Sequence, residues 1–226
     1  MSAKMKCKIV TFEEVYDMIR NLSEKTKESG NKPTAIVGLA RGGWVPARLM
    51  CDFLGITDLI SLKVEHWLET GKTKDEATIR YPLMADLRGR RLLIVDDIAD
   101  TGKSLIVSTS YLRKFAPADI KTATMQYFPT SAFRPDYYAE EVKVWTWFIY
   151  PWNWIEDTTT MIVRLMETRK EQVWNSTDIS AGLQELFEIH WNQRMMSYML
   201  RIMYERGQIG RTKGGYRLKE TKVVHL

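Results

Sequence analysis

The chain has 226 residues, a hydrophobic fraction of 45% and a formal net charge of +5, which suits one well-packed core with a smaller appendage. No apolar run is long enough to cross a bilayer, and the first residues lack the uninterrupted apolar stretch of a secretory signal. The two cysteines, Cys7 and Cys51, fit a reducing compartment without a disulfide framework. We therefore expect a cytoplasmic protein with no membrane partner.

The positive charge is concentrated at the C-terminus. Residues 194–226 hold eight Lys or Arg against Glu205 and Glu220, a net +6, which leaves −1 for the rest of the chain. The cations are Arg194, Arg201, Arg206, Arg211, Lys213, Arg217, Lys219 and Lys222. A basic segment of this kind indicates either a solvated face or a surface that binds an acidic partner.

Helices and strands alternate over the first part of the chain. Thr11 and Glu14 have the spacing of a capping box, and apolar residues then recur at helical spacing as far as Gly30. The predicted elements here are a helix over residues 12–28, a strand over 34–39, a helix that ends before Gly55 and a strand over 58–64.

Residues 65–81 interrupt this alternation. The segment is long and charged, contains Gly71 and shows no sustained period. A loop of this length inside a compact domain is usually functional or disordered. We therefore predict a loop rather than a regular element.

Further strands are predicted over residues 91–95, 121–127 and 143–148, with a helix after the first of them. Strands that alternate with helices imply an α/β fold with a parallel sheet, whose ligands bind outside the carboxyl ends of the strands. The Arg41-Gly42-Gly43 turn and residues 96–104 both follow such ends. We expect them to share one cleft.

The pattern changes near Ile155. Three helices, over residues 157–172, 178–190 and 193–206, precede a glycine-containing hairpin over 208–220. We predict two domains, residues 1–155 and residues 156–226, the second being a helical bundle with a basic tail.

Residues 92–104 form the most informative pattern in the chain. An apolar strand leads into acids, and a turn of small residues then opens a helix. The polar part of this motif consists of Asp96, Asp97, Asp100, Thr101, Gly102, Lys103 and Ser104. The start of a helix binds anions, whereas neighbouring carboxylates suit hydroxyl groups or a metal. The pattern therefore favours a ligand that carries a phosphate at one end and hydroxyls or a metal at the other.

A nucleotide-binding P-loop is the nearest alternative, because Gly102-Lys103-Ser104 copies the last letters of its signature. That signature needs a glycine five positions before Gly102, where Asp97 stands. A carboxylate there would repel a triphosphate. The remaining alternative is an acidic turn that merely caps a helix.

The motif resembles the binding motif for 5-phosphoribosyl 1-pyrophosphate (PRPP) in the type I phosphoribosyltransferases. There, two acids and two apolar or small residues precede Asp-Thr-Gly and a small hydroxyl residue. The resemblance covers about two-thirds of the chain and implies that family's fold, a parallel sheet of about five strands flanked by helices, here with a C-terminal helical domain. It also implies a glycosyltransferase, more narrowly a pentosyltransferase, that converts PRPP and a purine base into a nucleoside 5′-monophosphate and pyrophosphate in purine salvage.

The resemblance assigns roles to individual residues. Asp96 and Asp97 match the acids that in the family bind the ribose hydroxyls and help to order Mg²⁺, the implied cofactor, indirectly through PRPP and water. Asp100 matches the acid near purine N7 and is the candidate catalytic residue for proton handling. The residues matched to the 5′-phosphate site are Asp100, Thr101, Gly102, Lys103 and Ser104.

The resemblance also gives a site for pyrophosphate. Arg41 and Gly42 match the family's pyrophosphate loop, in which glycine lets the backbone approach the anion. The loop predicted over residues 65–81 occupies the place of the family's mobile lid, where Lys72, Lys74 and Arg80 are candidates to close over pyrophosphate. A solvated charged loop without a role is the alternative.

Phe128, Trp147 and Phe148 are the candidates for contact with the nucleobase, and ordinary core packing is the alternative for each. In 6-oxopurine enzymes of the family, a lysine before a proline donates to purine O6. Here Tyr127-Phe128-Pro129 has no lysine, although residues 147–153 resemble the base hood of xanthine-guanine enzymes. We predict a scaffold of the 6-oxopurine, xanthine-guanine type altered to take adenine, as in an archaeal-type adenine phosphoribosyltransferase.

Two alternatives stay open. The first is a hypoxanthine, guanine or xanthine enzyme that uses a backbone group in place of the missing lysine. The second is a PRPP-sensing regulator that binds nucleic acid through a winged helix in the C-terminal region. We favour a packed bundle there, because the helix over residues 193–206 is rich in methionine and tyrosine that call for burial on more than one face. The family resemblance also implies a homo-oligomer, most simply a dimer.

Overall fold

A computed structural model describes the backbone of residues 4–68 and 75–219, and the side chains within these ranges except those of residues 66–77. In chain order the elements are β1 (Cys7–Ile9), α1 (Phe12–Glu28), β2 (Ala35–Ala40), α2 (Trp44–Leu54), β3 (Leu59–Leu68), β4 (Asp75–Ile79), β5 (Arg91–Ala99), α3 (Lys103–Arg113), β6 (Asp119–Tyr127), β7 (Tyr137–Glu141), β8 (Trp147–Ile149), a 3₁₀ turn (Pro151–Asn153), α4 (Trp154–Glu167), α5 (Ser176–Phe187), α6 (Gln193–Glu205), β9 (Ile209–Thr212) and β10 (Gly215–Leu218).

The chain packs as two compact units. The sheet unit is Phe12–Val144, and the helical unit is Met1–Thr11 together with Trp145–Leu226. Residues 145–155, predicted to belong with the first domain, therefore pack with the helical unit. The division at residue 155 into two domains stays a prediction. Among the described residues, no helix combines the length and apolar character that a membrane span requires.

The sheet unit is built on six strands in the order β4-β3-β2-β5-β6-β7. Five of these strands, β3, β2, β5, β6 and β7, are mutually parallel, and β4 pairs with β3 in the antiparallel sense. The predicted α/β fold with about five parallel strands is confirmed. The central strands β2 and β5 are apolar over most of their length because helices cover both faces of a parallel sheet.

Helices pack on the sheet through apolar stripes. Leu105 and Leu112 of α3 are buried in one cluster with Val37 and Ile94. Helix α1 occupies the predicted residues and buries Val15, Ile19 and Leu22, which recur at helical spacing. The backbone of α2 lies beside β2 and β5. Because α3 follows β5 directly, the carboxyl end of β5 and the start of α3 meet at one edge of the sheet.

Three element predictions need correction. Within the segment predicted as a loop over 65–81, residues 65–68 and 75–79 form antiparallel strands, since β3 continues to Leu68 and pairs with β4 in the register Val64↔Ile79. Residues 69–74 lie outside the described part of the chain. These strands form without an apolar alternation because backbone pairing and ion pairs stabilise them. Glu65 contacts the ammonium of Lys63 at 2.7 Å and the guanidinium of Arg80 at 3.3 Å. Strand β5 continues through the acids to Ala99. The strand predicted over 143–148 is replaced by β7 and β8.

The helical unit has its own core. Strand β1 pairs in parallel with β8, so the N-terminal residues join the segment that follows residue 144. Helices α4, α5 and α6 surround one apolar cluster that includes Ile162, Leu183, Met199 and Ile209. The predicted hairpin near the C-terminus is present as β9 and β10, which pair antiparallel.

Candidate active site

Asp96 and Asp97, the acidic pair, lie near the carboxyl end of β5 and remain within the strand. Asp96 is opposite Thr124 of β6 in the parallel ladder. The Asp96 carboxylate accepts a hydrogen bond from the Asp97 N–H at 3.0 Å, and the Asp97 carboxylate accepts one from the Ile98 N–H at 2.8 Å. The backbone therefore holds both carboxylates close to the strand.

Burial of Asp96 raises the pKa of its carboxyl well above the ordinary value, and the negative charge of Asp97 raises this pKa further. Two adjacent carboxylates in a poorly hydrated place are unfavourable while both are ionised. Hydroxyl donors or a cation brought to the pair would favour the ionised forms. The pair is therefore suited to a ligand that supplies such groups.

The turn after β2 reaches the acidic pair. A Cβ atom placed on Gly42 would lie 2.2 Å from Oδ2 of Asp97, so only glycine leaves room for this carboxylate. The peptide bond between Ala40 and Arg41 is cis, and the side chain of Arg41 is exposed. The structure thus brings the Arg41-Gly42 turn next to Asp97 at one edge of the sheet, where an anion can approach backbone N–H groups and the Arg41 guanidinium.

The segment after β5, residues 100–104, is named here the phosphate turn. Gly102 has φ +77° and stands immediately before α3, which begins at Lys103. The N–H groups of the first helical turn have no acceptor within the helix and attract anions. A cavity of about 200 Å³ adjoins this turn and the acidic pair, and is lined by Asp96, Asp97, Ile98, Asp100, Thr101, Gly102, Ser104 and Leu105.

Residues 128–133 support the phosphate turn, a role that the sequence analysis did not assign to any of them. The Phe128 N–H donates to the Ala99 carbonyl at 3.0 Å, and the Ala132 N–H donates to the Thr101 carbonyl at 3.1 Å. A Cβ on Gly102 would lie 2.6 Å from Oγ of Ser131. Only the turn-forming composition after Pro129 hinted at a loop here, and nothing in the sequence indicated its partner.

The predicted site residues fall into groups. Six of the residues predicted for ribose and phosphate line the cavity, namely Asp96, Asp97, Asp100, Thr101, Gly102 and Ser104. Lys103 is not among the lining residues. Arg41 and Gly42 are in the turn beside Asp97.

The residues predicted to contact the nucleobase and to form the lid are not among those that line this cavity. Phe128 belongs to the sheet unit and is 4% exposed, whereas Trp147 and Phe148 belong to the helical unit. Their contact with a nucleobase stays a prediction. Of the lid candidates, Lys72 and Lys74 lie outside the described residues, and Arg80 pairs with Glu65.

The chain is similar in sequence to known phosphoribosyltransferases. The chain is 37% identical to a xanthine-guanine phosphoribosyltransferase of Cereibacter sphaeroides over 122 residues, 53% of this chain and 68% of the relative. It is 30% identical to a protein of the same name from Nitratidesulfovibrio vulgaris over 146 residues, 64% of this chain and 83% of the relative. The predicted resemblance to the xanthine-guanine type is therefore confirmed.

A solved structure and a domain family agree with these relatives. The purine phosphoribosyltransferase from Pyrococcus horikoshii matches with a TM-score of 0.58 and 33% identity, over 66% of this chain and 95% of that one. The family described as phosphoribosyl transferase domain matches residues 9–157. The prediction of a pentosyl-transferring enzyme is thereby confirmed at the level of the family. The chain belongs to the phosphoribosyl transferase family.

Proposed function

We propose that this protein transfers the phosphoribosyl group of PRPP to a ring nitrogen of a 6-oxopurine, and releases pyrophosphate. The observation that carries the proposal is the meeting, at one sheet edge, of the acidic pair, the phosphate turn and the Arg41-Gly42 turn. Carboxylates for hydroxyls and two anion-binding turns at this edge match the sugar, the 5′-phosphate and the pyrophosphate of PRPP.

The proposed chemistry follows from this placement. A bond forms between the purine nitrogen and the anomeric carbon, while the bond from that carbon to pyrophosphate breaks and its electron pair leaves with the pyrophosphate. Positive charge develops on the ribose, where the ionised carboxylates of Asp96 and Asp97 stabilise it. The Arg41-Gly42 turn stabilises the charge gained by the leaving group.

Asp100 is the proposed proton acceptor for the purine. It follows β5 directly, is exposed and lines the cavity, so a bound base can reach its carboxylate. A purine that forms a glycosidic bond must lose a ring proton, and a carboxylate within hydrogen-bond reach accepts it. Thr101 and Ser104 contribute hydroxyls to the phosphate turn.

Mg²⁺ fits this site as a partner of PRPP. Among the described residues, no group of three His, Cys, Asp or Glu side chains is placed to hold a metal. Magnesium commonly keeps several waters and binds through one or two carboxylates together with substrate phosphates. Asp96 and Asp97 would hold the ion through water and PRPP, where it supplies positive charge that favours both ionised carboxylates.

The base preference is the least direct part of the proposal. The named relatives are xanthine-guanine enzymes, so they support the 6-oxopurine alternative and give no support to adenine. The absence of a lysine in Tyr127-Phe128-Pro129 was the reason to predict adenine. The carbonyl of a 6-oxopurine needs a hydrogen-bond donor in place of that lysine. A backbone N–H is such a donor and does not depend on the side chain at that position.

A panel of bases tests this proposal. Pyrophosphate release from PRPP is measured with xanthine, guanine, hypoxanthine, adenine and orotate under the same conditions. We expect kcat/KM for at least one 6-oxopurine to exceed that for adenine by tenfold or more. A higher kcat/KM for adenine would refute the 6-oxopurine assignment. No turnover with any base would refute the proposal that the protein catalyses this reaction.

Two further proposals follow, the first from the two cysteines and the second from the family resemblance. We propose a cytoplasmic protein that forms a homodimer. Sedimentation equilibrium of the full chain gives the oligomeric state directly, and a monomer at micromolar concentration would contradict it.

A further inference from the structure

The helical unit contains a series of helices and strands that has no part in the proposed phosphoribosyl transfer. From α4, the chain passes through Trp174 to α5, α6 and the β9–β10 hairpin. The backbone of Trp174 pairs with that of Tyr216 in β10 through two hydrogen bonds of 2.9 and 2.8 Å. Trp174 thus adds a third strand position to the hairpin. Three helices with a hairpin and one added strand form the winged-helix arrangement.

Helices α5 and α6 are joined as in a helix-turn-helix. Helix α5 ends at Phe187 and is followed by Glu188, which adopts a left-handed conformation with φ 57°. Four residues later the Asn192 side chain accepts a hydrogen bond from the Met195 N–H at 2.9 Å and starts α6. This short, capped connection fixes the second helix of the pair, which in such modules is the one that enters a DNA groove.

Helix α6 has one buried and one exposed face. Its buried residues are Met196, Met199, Leu200 and Met203. Its exposed residues include Arg194, Ser197, Tyr198, Arg201 and Tyr204. Both tyrosines are 44% exposed, so the expectation that these residues pack on more than one face is wrong for them. The exposed side is therefore a polar stripe of hydrogen-bonding side chains.

The hairpin extends this stripe. The guanidinium of Arg211 in β9 lies 5.1 Å from the ring centroid of Tyr204, and that of Arg201 lies 5.2 Å from the ring centroid of Tyr198. Between residues 194 and 219 the side chains carry seven positive charges against the single acid Glu205, which is 3.8 Å from Arg201. The positive charges belong to Arg194, Arg201, Arg206, Arg211, Lys213, Arg217 and Lys219, all of them exposed.

We propose that this surface binds double-stranded DNA, with the exposed face of α6 in the major groove and the hairpin against the neighbouring phosphates. A helix of 13 residues is about 20 Å long, and the major groove, about 12 Å wide, admits one helix. Arginine and tyrosine on α6 reach base edges, whereas Arg211 and Lys213 meet the backbone. The net +6 of this segment supplies the electrostatic attraction that nonspecific binding requires.

Fluorescence anisotropy with a labelled duplex of about 20 base pairs, in about 50 mM salt, tests this inference on the full chain. The test variant is Arg201→Gln/Arg211→Gln. The matched control is Arg88→Gln/Arg113→Gln, which removes two exposed arginines from the sheet unit. We expect micromolar binding by the wild type, at least tenfold weaker binding by the test variant, and a change within twofold for the control. The salt slope should fall by about 1.8 in the test variant only.

Three outcomes would overturn the inference: no anisotropy change with the wild type, equal loss in the control, or tighter binding to single-stranded RNA or anionic phosphatidylserine vesicles than to the duplex. Thermal melting and pyrophosphate release by each variant verify folding. The two proposals fail separately, because the test variant changes no residue of the acidic pair or the phosphate turn.

Discussion

The two units of this chain place their charges in opposite ways. In the sheet unit, Asp96 and Asp97 are half-buried side by side near the end of an apolar strand. In the helical unit, the arginines and lysines of α6 and the hairpin are exposed, and an apolar core lies beneath them. The first arrangement costs folding free energy and the second costs little.

This difference separates site chemistry from surface recognition. A half-buried pair of like charges persists where a ligand compensates for it, so replacing it should stabilise the empty protein and abolish its chemistry. Exposed cations attract a charged partner without affecting the core, so replacing them should change binding and leave stability unchanged.

The largest effect is expected at Gly42. In Gly42→Ala the new methyl group meets Oδ2 of Asp97 at 2.2 Å, so the turn or the carboxylate must move. Displacement of a positioning group by about 1 Å can reduce kcat/KM about 100-fold. Steady-state pyrophosphate release measures this loss. Gly210→Ala in the helical unit is the control, since its methyl group meets only the flexible Lys219 side chain, at 3.3 Å. Equal activity of the two variants would contradict the account.

Gly102 and Gly89 provide a matched pair for the phosphate turn. Both have positive φ, +77° and +68°, but a Cβ on Gly102 meets Ser131 and Phe133 within 2.7 Å, whereas one on Gly89 meets nothing within 4 Å. Alanine at either position costs about 1–2 kcal/mol of backbone energy. Only Gly102→Ala should raise the KM for PRPP, about tenfold, because one charge-assisted phosphate contact is lost. An equal rise in both variants would assign the effect to backbone strain alone.

The pH dependence of stability should report Asp96. Its pKa is higher in the folded protein than in the unfolded chain, so the folded state binds the proton more tightly. The free energy of unfolding contributed by this group is therefore lost as pH rises from the ordinary carboxyl range through the raised pKa. Urea unfolding without PRPP or Mg²⁺ should show Asp96→Asn gaining stability over the wild type as pH increases. A difference that is constant with pH would contradict a raised pKa of Asp96 in the folded protein.

The smallest effect is expected at the cysteines, one in each unit. Cys7 is buried, and burial with the charges of Asp157 and Glu188 raises its pKa to about 11. Its thiolate fraction at pH 8 is then about one thousandth. Burial also raises the pKa of Cys51. Alkylation followed by mass spectrometry should find both thiols protected until urea unfolds their unit. Labelling of Cys7 at the rate of a free thiol would contradict its place in the core.

Much of this architecture follows from the sequence because it depends on local periodicity. Helix α1 spans the predicted residues 12–28, and four of the five parallel strands, β2, β3, β5 and β6, follow from apolar runs. Strand β7 does not, because it has the polar sequence Tyr-Tyr-Ala-Glu-Glu, and the strand was predicted over 143–148 instead. Strand β4 and the continuation of β5 through Asp96 and Asp97 do not follow. Aspartate disfavours strands locally, and pairing with β6 overrides that preference.

The sequence predicts the residues of the site's motif, but it does not predict the residues that pack against this motif in the fold. The acids and the phosphate turn are contiguous in the chain, so one pattern locates them. Ser131 and Phe133 contact Gly102 only through the fold, and the pairing of Trp174 with Tyr216 joins residues 42 positions apart. A single sequence carries no local signal for such contacts.

The most direct test of the account is calorimetric titration of PRPP, with Mg²⁺ present, into the wild type and into Asp96→Asn/Asp97→Asn. The account predicts one PRPP site per chain in the wild type and binding at least tenfold weaker in the variant, since hydrogen bonds to charged groups contribute about 1.5–3 kcal/mol each. The variant should keep a wild-type melting temperature or exceed it. Equal PRPP affinity in the two proteins would contradict the central claim that the acidic pair holds the ribose of PRPP.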